Sequence, residues 1–285
     1  MVNNELGIVT NVIDNAFVNR LSKISTVESV FVIGSMVDPN YSAKQSNDYD
    51  IRVWVSSVTD KVFEEIQNSV DDCKKILSNP WYNESSKNPI YLSYSDIIGP
   101  VKHITHNDGV SLLVHCILLT DSSYYGLPMM HRLSYAKNHK VLWGKNCVLK
   151  DIGIKLSMKG ILNDTEGLKY CIDHIKDGEF QYLKWHKLAN NQYVLKSKTE
   201  VFNNESMFEF LKYSVEKNTN NLIAFFEQKQ QAKYIEKILK IKKDFMPLFV
   251  YEIFQNKVDY YLTITKAYLI QLLDVAVDYE REEIV

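Results

Sequence analysis

The chain has 285 residues, and its shares of hydrophobic (46%) and charged (24%) residues are typical of a globular protein that buries a core. Its 33 basic and 35 acidic side chains give a net charge of −2, which disfavours a protein that coats nucleic acid by bulk charge. The sequence has no apolar run long enough for a membrane span and no signal-peptide pattern, and its four cysteines are too dispersed for a zinc site or a disulfide framework. We therefore expect a cytoplasmic protein that does not enter the membrane.

The start of the chain predicts a helix and two strands. Apolar residues recur at three- and four-residue steps over residues 6–21, which indicates one face of a helix. The β-branched segment Val27–Ile33 ends at Gly34 and is typical of a buried strand. After a polar loop over residues 35–47, the alternating segment Asp48–Ser56 predicts a second strand.

The middle of the chain predicts one more helix and a β-meander. An apolar stripe with helical spacing covers residues 62–77. Three strand-like runs follow, Ile90–Ser95, Val101–His106 and Val110–Leu119, and Asn107-Asp108-Gly109 between the last two is typical of a hairpin turn. This order favours an α+β fold with a mixed or antiparallel sheet over repeated βαβ units.

The rest of the chain predicts helices. Asn163–Glu166 resembles a capping box, so we expect a helix to begin there. Apolar stripes with helical spacing run through residues 207–222 and 260–276. We therefore expect two domains, residues 1–150 with the sheet and flanking helices, and residues 151–285 as a helical domain.

The segment that carries chemistry lies between the first two strands. Alternation along a strand puts Asp48 and Asp50 on one face and Tyr49 on the other. Two adjacent carboxylates repel each other unless a cation lies between them, and Mg²⁺ prefers carboxylate and phosphate oxygens as ligands. The turn at Gly34-Ser35 offers backbone N–H groups and a hydroxyl to a phosphate.

This order of strand, Gly-Ser turn, loop and Asp-x-Asp strand resembles the signature of the DNA polymerase β-type nucleotidyltransferase superfamily. The longer segments GSMVDPN (residues 34–40) and NDYDI (47–51) are most similar to antibiotic adenylyltransferases, those for streptomycin and other aminoglycosides. The segment VLWGKN (141–146) is similar to one that often closes their catalytic domain. The resemblance covers residues 6–150.

The resemblance implies a nucleotidyltransferase catalytic domain in residues 1–150 and a helical acceptor-binding domain in residues 151–285. It implies Mg²⁺-dependent transfer of a nucleoside monophosphate from an NTP to a hydroxyl of a small molecule, with release of pyrophosphate. The expected donor is ATP, which makes AMP the expected group, although another NTP is an alternative. The acceptor would be an aminoglycoside-like antibiotic, which implies antibiotic resistance, or a natural-product intermediate. The expected partners are the nucleotide and this acceptor, without membrane or nucleic acid, and the expected state is a monomer or homodimer.

The resemblance also implies roles for single residues. Asp48 and Asp50 would be catalytic and hold the metal, while Gly34 and Ser35 would bind the β- and γ-phosphates. Two cations are candidates for further nucleotide contacts. Arg52 has the same strand parity as Asp50, and Lys145 lies in the closing segment; a structural or solvated role is the alternative for each. Their contact with the triphosphate is a hypothesis that the structure tests below.

The third carboxylate that is usual in this family has no evident counterpart. The offset from the Asn-Asp-Gly turn puts Leu113 at its position. His115 is two residues further and on the same face, where it can replace the carboxylate as a ligand or base, or be an ordinary core histidine. Asp96 and Asp108 are the nearest other carboxylates. Two alternatives therefore stay open: an enzyme that modifies protein or RNA, and a degenerate relative that binds nucleotide without catalysis.

Overall fold

The structure is a computed structural model that divides into two compact units. The first unit comprises residues 1–127, 131–152 and 183–197, and the second comprises residues 128–130, 153–182 and 198–285. The structure describes residues 2–37, 48–78, 89–99, 101, 106, 108–151, 156–173, 175, 179–201, 203–254 and 257–284.

Helices and strands alternate irregularly in the first half of the chain. Its elements are α1 (Val2–Leu21), β1 (Val27–Ile33), β2 (Asp48–Val55), α2 (Asp60–Leu77), β3 (Ile90–Ser95), β4 (Val110–Leu119), α3 (Asp121–Tyr125), α4 (Met129–Lys137) and β5 (His139–Gly144), with 3₁₀ turns at Ser35–Val37 and Cys147–Asp151. Helices dominate the second half. Its elements are α5 (Met158–Asp173), β6 (Glu179–Lys187), β7 (Tyr193–Val201), α6 (Asn204–Gln228), α7 (Ala232–Phe245), a 3₁₀ turn at Met246–Leu248, α8 (Tyr251–Phe254) and α9 (Val258–Ile284).

The central sheet has five strands in the order β3-β4-β2-β1-β5. Strand β1 is antiparallel to both β2 and β5, whereas β2 and β3 each pair with β4 in parallel. The sheet is therefore mixed, which confirms the α+β class. Strand β4 lies inside the sheet and is buried from residue 112 to residue 119, because an interior strand is covered on both faces.

One face of the sheet packs against α1 and α2, and we call it the helix face. Its buried strand residues are Val30, Val32, Tyr49, Ile51 and Val53. They belong to one apolar cluster with side chains of both helices, which explains the helical stripes in the sequence. Burial of this apolar area is the main source of stability of the first unit.

The opposite face carries the residues singled out above, and we call it the site face. It is defined here by Asp48, Asp50, Arg52, Leu113 and His115, which alternation and register place on the same side of the sheet. Beyond them, a smaller apolar cluster covers this face. Its buried members are Phe31, Ile33, Trp54, Ile117, Leu119, Tyr124, Tyr135 and Val148.

The predicted β-meander is wrong in its pairing. Strand β3 pairs directly with β4 and in parallel, so no further strand lies between them in the sheet, as a meander would require. Of the predicted strand Val101–His106, residues 102–105 lie outside the described residues, as does Asn107 of the predicted turn. The local turn signal did not reveal the pairing, because pairing is decided by which strand is adjacent in the sheet.

The predicted helix start at Asn163 is also wrong. Helix α5 begins at Met158, and the polar run lies in its interior. The hydroxyl of Thr165 is buried there, 2.8 Å from Oδ1 of Asn218 on α6. The polar residues therefore join two packed helices instead of capping one.

The second unit is helical around an aromatic core. Rings from α6, α7 and α9 stack or meet edge to face, and the closest are Phe226 and Tyr234, with centroids 4.9 Å apart. Tyr279 of α9 meets both of these rings at steep angles. Such contacts add to the energy of apolar burial. Among the described residues, none of the helices has both the length and the apolar character that a membrane crossing requires.

The sequence analysis did not foresee the strands β6 and β7, which form a two-stranded sheet inside the region expected to be helical. Asn191 in the connecting turn has a φ of 62°, which asparagine tolerates better than most residues. The outer part of this hairpin, residues 183–197, belongs to the first unit. There the indole Nε1 of Trp185 donates to the Leu118 carbonyl oxygen at 3.1 Å.

Candidate active site

The turn after β1 is shaped by a glycine. Gly34 has a φ of 81°, in the left-handed region that disfavours other residues. A Cβ atom at this position would lie 2.8 Å from Oδ2 of Asp50, too close for a real contact. The absence of a side chain therefore lets the carboxylate approach the backbone of the turn. Ser35 begins the 3₁₀ turn that follows.

Tyr49 anchors β2 from the helix face. Its ring is buried, and its hydroxyl donates to Oδ1 of Asp14 on α1, whose Oδ2 accepts from Nζ of Lys140 at 2.9 Å. Burial, with a contribution from the Asp14 charge, raises the pKa of Tyr49, so it stays protonated and donating. With Tyr49 fixed on this face, alternation turns Asp48 and Asp50 to the site face.

The register of β2 and β4 shows which residues adjoin the two carboxylates. Asp48 pairs with Leu113, and Asp50 pairs with His115. The position next to Asp48 is therefore apolar, and the position next to Asp50 carries an imidazole. Asp96 instead forms an ion pair with Lys184 at 2.7 Å, and Asp108 accepts from the Tyr91 hydroxyl at 2.9 Å.

Asp50 is held by two nitrogen donors on one oxygen. Its Oδ1 lies 3.0 Å from Nη2 of Arg52 and 3.0 Å from Nδ1 of His115. Burial by itself raises the pKa of Asp50, but the Arg52 charge and the His115 hydrogen bond outweigh it and hold the pKa at about 2. Asp50 is therefore an ionised carboxylate whose second oxygen, Oδ2, faces Gly34.

His115 contacts an acceptor with each ring nitrogen. Nδ1 faces the Asp50 carboxylate, and Nε2 lies 2.7 Å from the carbonyl oxygen of Ile97. Because a carboxylate and a carbonyl only accept, both hydrogen bonds form together only when both nitrogens carry a hydrogen. This arrangement suits a residue that holds Asp50 in place better than one that removes a proton from a substrate.

Arg52, predicted to contact a triphosphate, directs its donors to protein atoms. The guanidinium is 4% exposed and makes four hydrogen bonds inside the protein. Nε donates to the Tyr135 hydroxyl, Nη1 to the carbonyl oxygens of Ile51 and His115, and Nη2 to Asp50. Strand parity placed Arg52 on the correct face, but its donors are directed to protein atoms.

Lys145, the other cation predicted to contact a phosphate, lies away from the Gly34 turn. Lys145 follows β5 and lies beside Glu28 at the start of β1, where its backbone N–H donates to the Glu28 carbonyl oxygen at 3.0 Å. Its ammonium is 77% exposed and 3.7 Å from the Glu28 carboxylate. Six residues of strand at about 3.3 Å each separate Glu28 from Gly34. Lys145 is therefore at the other end of β1, too far from Gly34 for its side chain to reach that turn.

Sequence reasoning missed Tyr135, which contacts Arg52 although it is 83 residues away along the chain. It lies on α4 and packs in the apolar cluster of the site face. No motif surrounds it, and only the docking of α4 on the sheet brings its hydroxyl to the guanidinium.

The two carboxylates fit a shared magnesium ion. Mg²⁺ is commonly held by one or two carboxylates together with phosphate oxygens. Asp48 and Asp50 belong to the same face, and Oδ2 of Asp50 lies beside the backbone of Gly34. Within the described ranges, no cluster of three or more histidine, cysteine or acidic side chains could hold a metal ion. The residues therefore suit an ion that arrives with a phosphate ligand more than one caged by protein alone.

No protein-family model and no curated protein matches this sequence. Among solved structures, a toxin-antitoxin crystal structure with AMP-PNP is 11% identical, with a TM-score of 0.26 over 54% of this chain and 94% of that chain. Spectinomycin adenyltransferase AAD(9) from Enterococcus faecialis, solved with ATP and spectinomycin, is 13% identical, with a TM-score of 0.38 over 94% of this chain and 98% of that chain. Likenesses this distant establish no family, so the function is argued from the site.

Proposed function

We propose that the protein is a nucleotidyltransferase that transfers a nucleoside monophosphate from an NTP to a hydroxyl of a small molecule. AMP is the preferred group in this proposal. One observation supports this most strongly: Asp48 and Asp50 share one face, and Oδ2 of Asp50 lies beside the glycine turn. Carboxylates that share a metal with a triphosphate next to a backbone phosphate cradle are suited to phosphoryl-type transfer.

In this proposal the backbone N–H groups at Gly34 and Ser35 bind the β- and γ-phosphates. Asp48 and Asp50 would hold Mg²⁺, which when bound would neutralise the charge of the triphosphate and of the developing transition state. The acceptor oxygen attacks the α-phosphorus in line, the bond from that phosphorus to the bridging oxygen breaks, and pyrophosphate leaves with that oxygen. The hydroxyl proton passes to a base or to water. The protein contributes mainly position and charge.

The proposal extends to the helical second unit, which we assign to the acceptor. This assignment follows from the resemblance, since enzymes of this kind commonly carry a helical acceptor-binding domain. Hydroxylated antibiotics of the aminoglycoside type and natural-product intermediates are the first acceptors to test.

A second candidate function is nucleotide binding without transfer. Leu113 beside Asp48 favours it, because an apolar side chain at this register position leaves the metal with two carboxylates instead of three. Nucleotide binding would then survive while the chemical step is slow or absent.

One experiment separates these possibilities. Pyrophosphate release is measured with each of the four NTPs and Mg²⁺ against a panel of hydroxylated small molecules, and α-labelled NTP is followed into macromolecules of a lysate in parallel. We expect release with ATP and one acceptor class, and its loss in Asp50→Asn. The matched control is Asp71→Asn, an exposed carboxylate on α2 that hydrogen-bonds only locally to Gln67.

The outcomes exclude different versions of the proposal. Unchanged turnover in Asp50→Asn would refute the role of the carboxylate pair. MgATP binding without release from any acceptor would favour the second candidate, and label in a macromolecule would replace the small-molecule acceptor by a protein or RNA.

A further inference from the structure

Arg52 is the most constrained charged residue of the site face. Its guanidinium is buried, and its four hydrogen bonds reach two backbone carbonyls, one hydroxyl and one carboxylate. The carbonyls belong to neighbouring strands, Ile51 on β2 and His115 on β4. The Tyr135 ring lies 5.4 Å from Cζ, so α4 holds the guanidinium from the other side.

This arrangement makes the two oxygens of Asp50 unequal. Oδ1 accepts from Arg52 and from His115, and Oδ2 is the oxygen that faces Gly34. Rotating the carboxylate to another orientation would break both hydrogen bonds, which are stronger than neutral ones because the acceptor is charged. With Oδ1 held in this way, Oδ2 stays on the Gly34 side, where the proposed function places the nucleotide.

We propose that Arg52, held by Tyr135, is a positioning residue of the transfer reaction: it fixes the Asp50 carboxylate so that Oδ2 alone faces the ligand. This inference rests on the proposed function. Arg52 does not touch the nucleotide, and it acts on the reaction through Asp50. Partners of metal ligands commonly act in this way, and their loss reduces activity or metal affinity by about 10- to 100-fold.

A lysine at position 52 cannot replace the hydrogen bonds of the Arg52 guanidinium. An ammonium carries the same charge, but it has three donors at one point and cannot span a hydroxyl, two carbonyls and a carboxylate. Arg52→Lys therefore keeps the charge beside Asp50 and loses the fixed geometry. Tyr135→Phe keeps the arginine and removes only the hydroxyl that accepts from Nε.

The test uses the full-length protein with Arg52→Lys and Tyr135→Phe. The matched control is Arg20→Lys, which alters an arginine that bridges Glu65 and Asp72 on the surface of the same unit. The readouts are kcat, the dissociation constant of MgATP, the Mg²⁺ concentration for half-maximal rate, and the electron paramagnetic resonance spectrum of Mn²⁺ bound with ATP.

For Arg52→Lys we expect kcat to fall by about 10- to 100-fold and the Mg²⁺ requirement to rise, with MgATP affinity nearly unchanged. The Mn²⁺ spectrum should change, because the oxygen offered by Asp50 is no longer fixed. Tyr135→Phe should shift the same readouts by less, and Arg20→Lys should shift none of them. A purely structural role would lower thermal stability without altering the Mn²⁺ spectrum of the folded fraction.

The inference is overturned if folded Arg52→Lys retains the wild-type kcat, Mg²⁺ requirement and Mn²⁺ spectrum. If Arg52→Lys does not fold, Tyr135→Phe decides by the same readouts. Failure of the proposed function is a different result, since the wild-type protein itself would then neither bind MgATP nor release pyrophosphate.

Discussion

The two faces of strand β2 differ in the side chains that they carry and in what these side chains contact. On the helix face, Tyr49, Ile51 and Val53 are buried in the large apolar cluster under α1 and α2. On the site face, Asp48, Asp50 and Arg52 alternate with them. Apolar packing and the carboxylate pair therefore lie on separate sides of one strand, so a change at one position can leave the other side intact.

The largest expected effect comes from adding a carboxylate to each face in turn. Ile51→Asp puts an unpaired charge into the helix face, where Ile51 is fully buried, and we expect a loss of more than about 4 kcal/mol and failure to fold. Leu113→Asp puts the charge beside Asp48 on the site face. It should fold in Mg²⁺ and show a larger Mg²⁺-dependent rise in Tm than the wild-type protein.

Thermal unfolding with and without Mg²⁺ measures both variants. If Leu113→Asp gains nothing from Mg²⁺, the carboxylates do not share an ion, and the site face differs from the helix face only in polarity. If Ile51→Asp folds normally, the helix face is less closely packed than the structure indicates.

Gly34→Ala tests whether the glycine turn at the end of β1 is needed for MgATP binding. The added methyl group requires a strained backbone and meets Oδ2 of Asp50, so we expect a stability loss of about 1–3 kcal/mol and a larger loss of MgATP binding. The matched control is Gly7→Ala on α1, where a Cβ would meet nothing within 4 Å. Denaturant unfolding and calorimetric MgATP titration report the two effects separately. Equal MgATP affinity in both variants would argue against a cradle at Gly34.

The smallest effect that we expect is the contribution of Asp50 to the pH dependence of the unfolding free energy. Its folded pKa of about 2 lies below the value near 3.9 of an unfolded aspartate, so the ionised form stabilises the folded state above that unfolded value. The contribution, about 2 kcal/mol, is lost as the pH falls toward 2. Unfolding free energies between pH 6 and 2 should therefore fall less steeply in Asp50→Asn than in the wild-type protein. Parallel curves would mean that Arg52 and His115 do not hold the carboxylate.

Much of the site-bearing sheet could be predicted from local patterns. The strand over Val27–Ile33, the glycine turn and the shared face of Asp48 and Asp50 each depend on a few neighbouring residues, whose spacing is set by strand geometry. The two-strand hairpin in the second half was missed, because it lies among helical stripes and its outer part belongs to the first unit.

Local patterns in the sequence define the strand–turn–strand motif, the carboxylate pair and their common face, because alternation and glycine geometry act over a few residues. The residues that surround that pair are set by the packing of distant parts of the chain. The parallel pairing of β2 with β4 set Leu113 and His115 beside the carboxylates, and the docking of α4 brought Tyr135 to Arg52. It also put Lys145 at the far end of β1. Such contacts join residues distant in the chain, and they are fixed by the packing of the whole unit.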